Sequence, residues 1–330
     1  MNRTPDALLK ATSRSFYLTL RVLPAAVRPQ ISLAYLLART TDTIADTEII
    51  PLAQRLTALQ HLQARILGDT ATPVNFAVLA GQQTQSGEKI LLEETESSLA
   101  CLGTLSTADL QRVRDVLVTI TSGQVLDLQR FSGAASGKTV ALQTTAELDD
   151  YTYRVAGCVG EFWTRICRAH LFPEAPIDEP QFLADGIRFG KGLQLVNILR
   201  DLPADLQNGR CYLPLEKLAA ASLLPENLLA SAHEPQFLQL FRAHLDLADS
   251  YLAAGWRYTN TLPFGQIRIR LACAWPILLG VRTLEKLRSA DVAALQRRVK
   301  VSRGEVRGII FRSLMACGWP SAWRKLYPHL

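Results

Sequence analysis

Along almost its whole length this chain repeats apolar residues every three or four positions, and no run of alternating β-branched residues interrupts the pattern. A period near 3.6 belongs to helices with one buried face, so the fold class is all-α. The spacing predicts helices near 6–22, 29–46, 51–67, 88–101, 107–131, 145–170, 180–202, 215–220, 225–231, 236–261, 266–289 and 302–315. Thr107 before ADLQ and Asp178 before the Pro180 run mark starts, while Pro24, Pro173 and Pro263 mark stops or turns. Residues 68–87 and 132–144, rich in Gly, Ser, Thr and Gln, read as loops. With no fixed-period repeat and no long linker, residues 1–330 are expected to form a single helical domain.

Composition narrows the setting. At 330 residues, 48% hydrophobic and 20% charged, the chain can bury a sizeable core, and nothing suggests disorder. The longest nearly uncharged apolar run, Leu271 to Val281, is well short of the ~18 residues that span a bilayer. The opening residues MNRTPDALLK lack the apolar core of a signal peptide. Six cysteines without CxxC spacing read as small core residues in a reducing compartment, so a cytoplasmic location is expected. The net charge of +6 suits anionic substrates or peripheral contact with an anionic membrane. The basic residues form no block interleaved with aromatics, which argues against nucleic acid as a partner.

One polar line stands out against this background. In QLVNILRDLPADLQNGRCYLP, Gln194, Asn197, Asp201 and Asp205 recur at i, i+3, i+7 and i+11 within an otherwise apolar run. Carboxylates flanked by amide oxygens are hard ligands of the kind Mg²⁺ takes, together with water and phosphate. A single acid pair at i+4 is ordinarily a solvated helix face. Here a second pair, Asp42 and Asp46 in RTTDTIADTE, repeats the spacing after the apolar run SLAYLLA. Two such pairs facing each other would hold divalent cations and clamp one diphosphate. Pro203 lies between the downstream acids, so the helix is expected either to kink there or to fray at Asp205.

Other segments carry two readings each. Arg14 beside Ser13, Ser15, Phe16 and Tyr17 reads by itself as the basic polar edge of an amphipathic helix, while Arg39 one turn before Asp42 and Arg200 beside Asp201 are either salt-bridge partners or grips on phosphate oxygens. Gly157 and Gly160, and again Gly186, Gly190 and Gly192, sit inside helical patterns where each costs roughly 1 kcal/mol against alanine. Small size there serves either close helix packing or room for a long apolar ligand.

TSRSF from Thr12, DTIAD at 42–46, YxxxVAGxVG from Tyr151, and QxxNxxRDxxxD followed by GRxYLP from Gln194 occur together in this order. On these motifs the chain resembles the squalene and phytoene synthase family of head-to-head prenyl synthases, over most of its length. The resemblance implies an all-α isoprenoid synthase bundle with a central cavity, two farnesyl diphosphates as substrate, and Mg²⁺ held between the aspartate motifs. Carried over by motif, Asp42, Asp46, Asp201 and Asp205 would be metal ligands, with Asn197 and Gln194 supporting that edge. Arg14, Arg39, Arg200 and Arg210 would contact diphosphate, Phe16 and Tyr35 would line the cavity, and Tyr151 would assist the first condensation. The first motif departs from the eukaryotic squalene synthase form, with Ala45 and Thr47 where those enzymes carry further acids.

Within the family, RTTDTIAD resembles the squalene-type first motif, and VKVSRGEV from Val299 resembles a late basic segment of squalene synthases. Lys300 and Arg303 there would meet a phosphate of NADPH, and the expected product is squalene. Without reduction the expected product is dehydrosqualene or phytoene. A reading of another class is a non-catalytic assembly factor on the same scaffold, against which both acid pairs stand.

Overall fold

The computed structural model describes residues 5–12, 16–297 and 299–327. In chain order the helices are α1 (Pro5–Thr12), α2 (Phe16–Val22), α3 (Arg28–Asp46), α4 (Leu52–Leu67), α5 (Ala77–Gly81), α6 (Ser86–Glu93), α7 (Thr95–Ala100) and α8 (Thr107–Arg130). There follow α9 (Thr145–Thr152), α10 (Cys158–Leu171), α11 (Glu179–Gln207), α12 (Leu215–Ala220), α13 (Glu234–Thr261) and α14 (Ile267–Arg288). The last are α15 (Val292–Gln296), α16 (Arg303–Ala316) and α17 (Pro320–Arg324). The expected all-α class holds. Among the described residues the sheet content is β1 (Val140–Ala141) pairing in parallel with β2 (Arg210–Cys211).

These elements form two compact units, Met1–Gln129 with Phe162–Glu174, and Arg130–Glu161 with Ala175–Leu330. In the first, α3 packs against α4, α6 and α7, burying Leu36, Leu37 and Ile44 with Leu59, Leu62 and Leu91. Complete burial of each such side chain is worth about 2 kcal/mol, so the apolar stripe that α3 turns inward fixes which face it turns outward. In the second unit α11 packs on α13 and α14, burying Leu195, Leu199 and Leu202. Trp256 of α13 stacks on Trp323 at 5.5 Å and on Tyr327 at 5.7 Å, which docks the end of the described chain onto that core.

Several expected boundaries move, each for a local reason. The helix expected to stop at 202 runs through Pro203 to Gln207. Proline removes one backbone donor, but Leu199, Leu202 and Pro203 itself are buried, and the Asn208 amide caps the end on the Ala204 and Asp205 carbonyls. Asp205 therefore stands on regular helix. The helix expected over 145–170 is instead α9, a π-helical turn at Tyr153–Gly157, and α10. The 68–87 loop contains α5, and the 132–144 loop contains β1. The helix expected at 225–231 is reduced to a 3₁₀ turn, Pro225–Asn227, and α15 and α17 were not predicted.

Close packing resolves the two glycine readings at Gly160 and Gly190. A Cβ on Gly160 would stand 1.9 Å from the Gly186 carbonyl oxygen, and one on Gly190 would stand 2.1 Å from that of Ala156. Backbones of this closeness leave space for neither a side chain nor a ligand at those points.

Candidate active site

Tyr35, Arg39, Asp42 and Asp46 lie on unbroken helix at i, i+4, i+7 and i+11, so α3 presents them along one line. Their neighbours Leu36, Leu37, Thr40, Thr41, Thr43 and Ile44 are buried, whereas the Asp42 side chain is 48% exposed and Asp46 is exposed. Arg39 donates from Nη1 to Asp42 Oδ2 at 3.0 Å and from Nη2 to Glu88 Oε1, on α6, at 2.8 Å. From α8, Gln124 Nε2 donates to Asp42 Oδ1 at 2.9 Å. Burial works against the Arg39 charge, but the fields of Asp42, Glu88 and Asp46 outweigh it and raise the guanidinium above its ordinary value.

Gln124 and Glu88 were not among the residues expected from sequence. A signal for Gln124 was present: it continues the stripe of Val113, Leu117 and Ile120 at i, i+4, i+7 and i+11, an amide where the pattern calls for an apolar residue. It is buried, and its Oε1 has no hydrogen-bond partner among the described residues. An orphaned acceptor beside a carboxylate suits a cation or a water bound to one.

On α11, Gln194, Asn197, Asp201 and Asp205 share one line, as the spacing predicted. Gln194, Asp201 and Asp205 are half-buried and Asn197 is exposed, while Leu195, Val196, Ile198, Leu199 and Leu202 are buried. Asn197 Nδ2 lies 3.5 Å from Gln194 Oε1. Arg200 grips both oxygens of Asp201, with Nε to Oδ1 at 3.0 Å and a second bond from Nη2 to Oδ2. One turn before Gln194, Lys191 donates to Asp149 at 2.6 Å, tying α11 to α9.

Tyr151 is buried in α9 and stacks on Tyr212 at 4.9 Å, which in turn meets the edge of Phe131 at 5.1 Å. Tyr212 follows β2, the strand that carries Arg210. That strand begins after Gly209, whose φ of +73° and proximity to the Ala135 and Lys138 carbonyls admit glycine alone without strain. Lys300 and Arg303 are exposed at the entrance of α16. Lys286 Nζ donates to the Lys300 carbonyl at 3.1 Å, and Ser302 with Glu305 closes a capping box. Arg14 and the Phe16 side chain lie outside the described residues.

The donor chemistry of both acid lines fits Mg²⁺. Among the described residues no three His, Cys, Asp or Glu side chains converge on one point. Mg²⁺ typically takes one or two protein carboxylates and completes its shell with water and phosphate oxygens, which is what each pair offers. Arg39 and Gln124 occupy one lone pair on each oxygen of Asp42 and leave the others free. The exposed Lys300 and Arg303 side chains at the start of a 14-residue helix likewise have the charge and access that a phosphate requires.

The squalene/phytoene synthase family model matches residues 9–305, through both units and both acid lines. The chain belongs to the squalene/phytoene synthase family. Among curated relatives, a 15-cis-phytoene synthase of Synechocystis sp. is 31% identical over 250 residues, covering 72% of this chain and 63% of that protein. A squalene synthase of Eremothecium gossypii is 28% identical over 319 residues, covering 93% of this chain and 66% of that protein. A bifunctional lycopene cyclase/phytoene synthase of Gibberella fujikuroi is matched over 40% of its length. The chain thus spans less than two thirds of the first of these relatives and of the bifunctional protein. A solved complex of TcSQS with the ligand E5700 superposes with a TM-score of 0.77 at 21% identity, covering 98% of this chain and 88% of that one. A dehydrosqualene synthase complex superposes with a TM-score of 0.64 at 19% identity, covering 95% of each chain. At these identities the likeness shows the fold, which is the all-helical isoprenoid synthase fold.

Proposed function

We propose that this family member condenses two farnesyl diphosphates head to head and, with NADPH, reduces the product to squalene. The observation that carries the reading is the pair of acid lines, each on regular helix with its apolar neighbours buried and an arginine bonded to its leading aspartate. The match to the family model through both units supports one synthase domain over the whole chain. Asp42 and Asp46 on α3, and Asp201 and Asp205 on α11, are the proposed Mg²⁺ ligands, with Asn197 and Gln194 supporting the second set. Bound Mg²⁺ supplies positive charge against the departing diphosphate. Arg39, Arg200 and Arg210 hold phosphate oxygens, Tyr35 lines the prenyl site, and Tyr151, fixed by its stack on Tyr212, positions the first condensation. Preorganised cations at the leaving group favour ionisation of the allylic C–O bond, and apolar walls keep water from the carbocation. The first condensation gives a cyclopropylcarbinyl diphosphate, and a second ionisation precedes the step that fixes the product.

Squalene is favoured over phytoene because the alignment with the Eremothecium gossypii squalene synthase extends over 93% of the chain, against 72% for the Synechocystis phytoene synthase. The identity of 31% with the latter favours geranylgeranyl diphosphate and phytoene as the second reading. Incubation with farnesyl diphosphate and Mg²⁺, with and without NADPH, separates them. Squalene with NADPH, and dehydrosqualene or the cyclopropyl diphosphate without it, is expected. Identical products in both arms, or turnover of geranylgeranyl diphosphate in preference, would remove the squalene assignment. Absence of any Mg²⁺-dependent diphosphate release would leave the non-catalytic reading of the scaffold.

A further inference from the structure

Helix α16 is apolar on two opposite faces. Ile309, Ser313 and Ala316, at i, i+4 and i+7, are buried, and Trp275 of α14 donates to Ser313 Oγ at 2.8 Å, so this face is the one packed on α14. At 100° per residue, the opposite face is centred on Phe311, with Leu314 and Met315 to either side. Phe311 is 65% exposed, Met315 64% and Leu314 47%, and Trp319 at the turn into α17 is 69% exposed. These four lie within nine residues, yet they are four of the ten large hydrophobic side chains exposed among the described residues. Outward apolar residues so concentrated mark a surface that meets something other than water.

The charge around the patch selects the occupant. Between 300 and 327 the sequence has six Lys or Arg residues and a single acid, Glu305. Glu305 is already engaged by Lys286 and Arg282, each at 2.8 Å, which hold its carboxyl well below the usual carboxylate range. Arg307 lies one turn before Phe311 on the same outward face, Arg312 flanks it, and Arg324 and Lys325 follow Trp319, all four exposed. A cleft of about 830 Å³ opens beside the helix, lined in part by Phe311, Arg312, Met315 and Lys325. A tryptophan, a phenylalanine and aliphatic side chains ringed by arginine and lysine match the interface of an anionic bilayer, with acyl chains beneath and phosphate headgroups around. No described helix is long and apolar enough to cross a membrane, so the contact is with one leaflet.

We propose that the outward face of α16, with Trp319, seats the protein on an anionic phospholipid surface. The inference stands on this face alone and not on the reaction assigned above. Its test is flotation of the full chain with vesicles of phosphatidylcholine, alone or mixed with phosphatidylglycerol. The wild type is expected to float with the mixed vesicles, at least about tenfold more strongly than with phosphatidylcholine, and to fall to the phosphatidylcholine level near 1 M salt, where the Debye length is ~3 Å. The double variant Phe311→Ser, Trp319→Ser should lose partition on both lipids. Arg307→Gln with Arg312→Gln should lose the preference for phosphatidylglycerol and keep weak binding. Because all four residues are exposed, circular dichroism and thermal midpoint should match the wild type. Wild-type flotation by both double variants would overturn the proposal. So would a wild type that ignores vesicles and sediments as a dimer, which the Phe311, Trp319 variant splits into monomers, since the patch would then be covered by a second copy.

Discussion

The two acid lines use the same residue types at the same spacing, yet they are held differently. Asp42 takes one bond from Arg39 on its own helix and another from Gln124, 82 residues away in sequence, and Arg39 itself is anchored on Glu88 of a third helix. Asp201 is gripped through both oxygens by the residue just before it. The first carboxylate therefore takes support from the tertiary packing of α3, α6 and α8, while the second takes a two-point grip from within α11. A site of the first kind fails when a distant support is removed. One of the second kind fails when its own helix is displaced.

The largest expected effect treats the two lines alike. Asp42→Asn and Asp201→Asn each remove a carboxylate charge from the proposed metal site, and each is expected to lower diphosphate release from farnesyl diphosphate by about 10³-fold or more. Thermal midpoints should stay close to the wild type, because both side chains are partly exposed and neither fills the core. Turnover retained by either variant would remove that line from the site.

A smaller effect should separate them. Gln124→Ala takes away the distant support of Asp42 without touching a proposed ligand, and outer supports of this kind are typically worth about ten- to a hundredfold in metal affinity or activity. The expected result is a raised Mg²⁺ requirement, read from turnover against Mg²⁺ concentration, with partial recovery in Gln124→Glu. An unchanged Mg²⁺ dependence would mean that the Gln124 bond supports packing only.

The last prediction concerns the seat of α11. Gly190→Ala forces a methyl group against the Ala156 carbonyl, and overpacking of this sort costs about 1–3 kcal/mol. Urea unfolding should show that loss, and turnover of the surviving folded protein should fall because the helix carrying Asp201 and Asp205 has shifted. Gly81→Ala, on a helix with open space at the Cβ, is the matched control and should change little. Equal stability of the two variants would mean that the Gly190 contact relaxes freely.

Residue order along the chain carries what a single helix can express. Apolar periodicity set the all-α class and the core faces of α3 and α11, because burial of a stripe dictates orientation without reference to any partner. The two acid lines were legible for the same reason: an i, i+4 spacing puts side chains on one line whatever the helix packs against. The Arg200–Asp201 grip lies between adjacent residues and was visible as adjacency, although salt bridge and phosphate grip could not be told apart from spacing.

Features that depend on distant neighbours emerge from packing. Pro203 reads as a helix stop, yet buried leucines around it and the cap at Asn208 carry α11 past it to Asp205. Gly160 and Gly190 read equally as packing or as ligand space from spacing alone, and the fold places the Gly186 and Ala156 carbonyls where a Cβ on either would stand. Gln124 and Glu88 reach Arg39 and Asp42 across 49 to 82 residues of chain, a separation over which no periodicity carries information. The outward face of α16 is apolar by sequence in either orientation, and which of its two apolar faces is buried was settled by the bond from Trp275 to Ser313 and the packing of Ile309 and Ala316. Local pattern fixes the chemistry a helix can present, and packing fixes where that chemistry points.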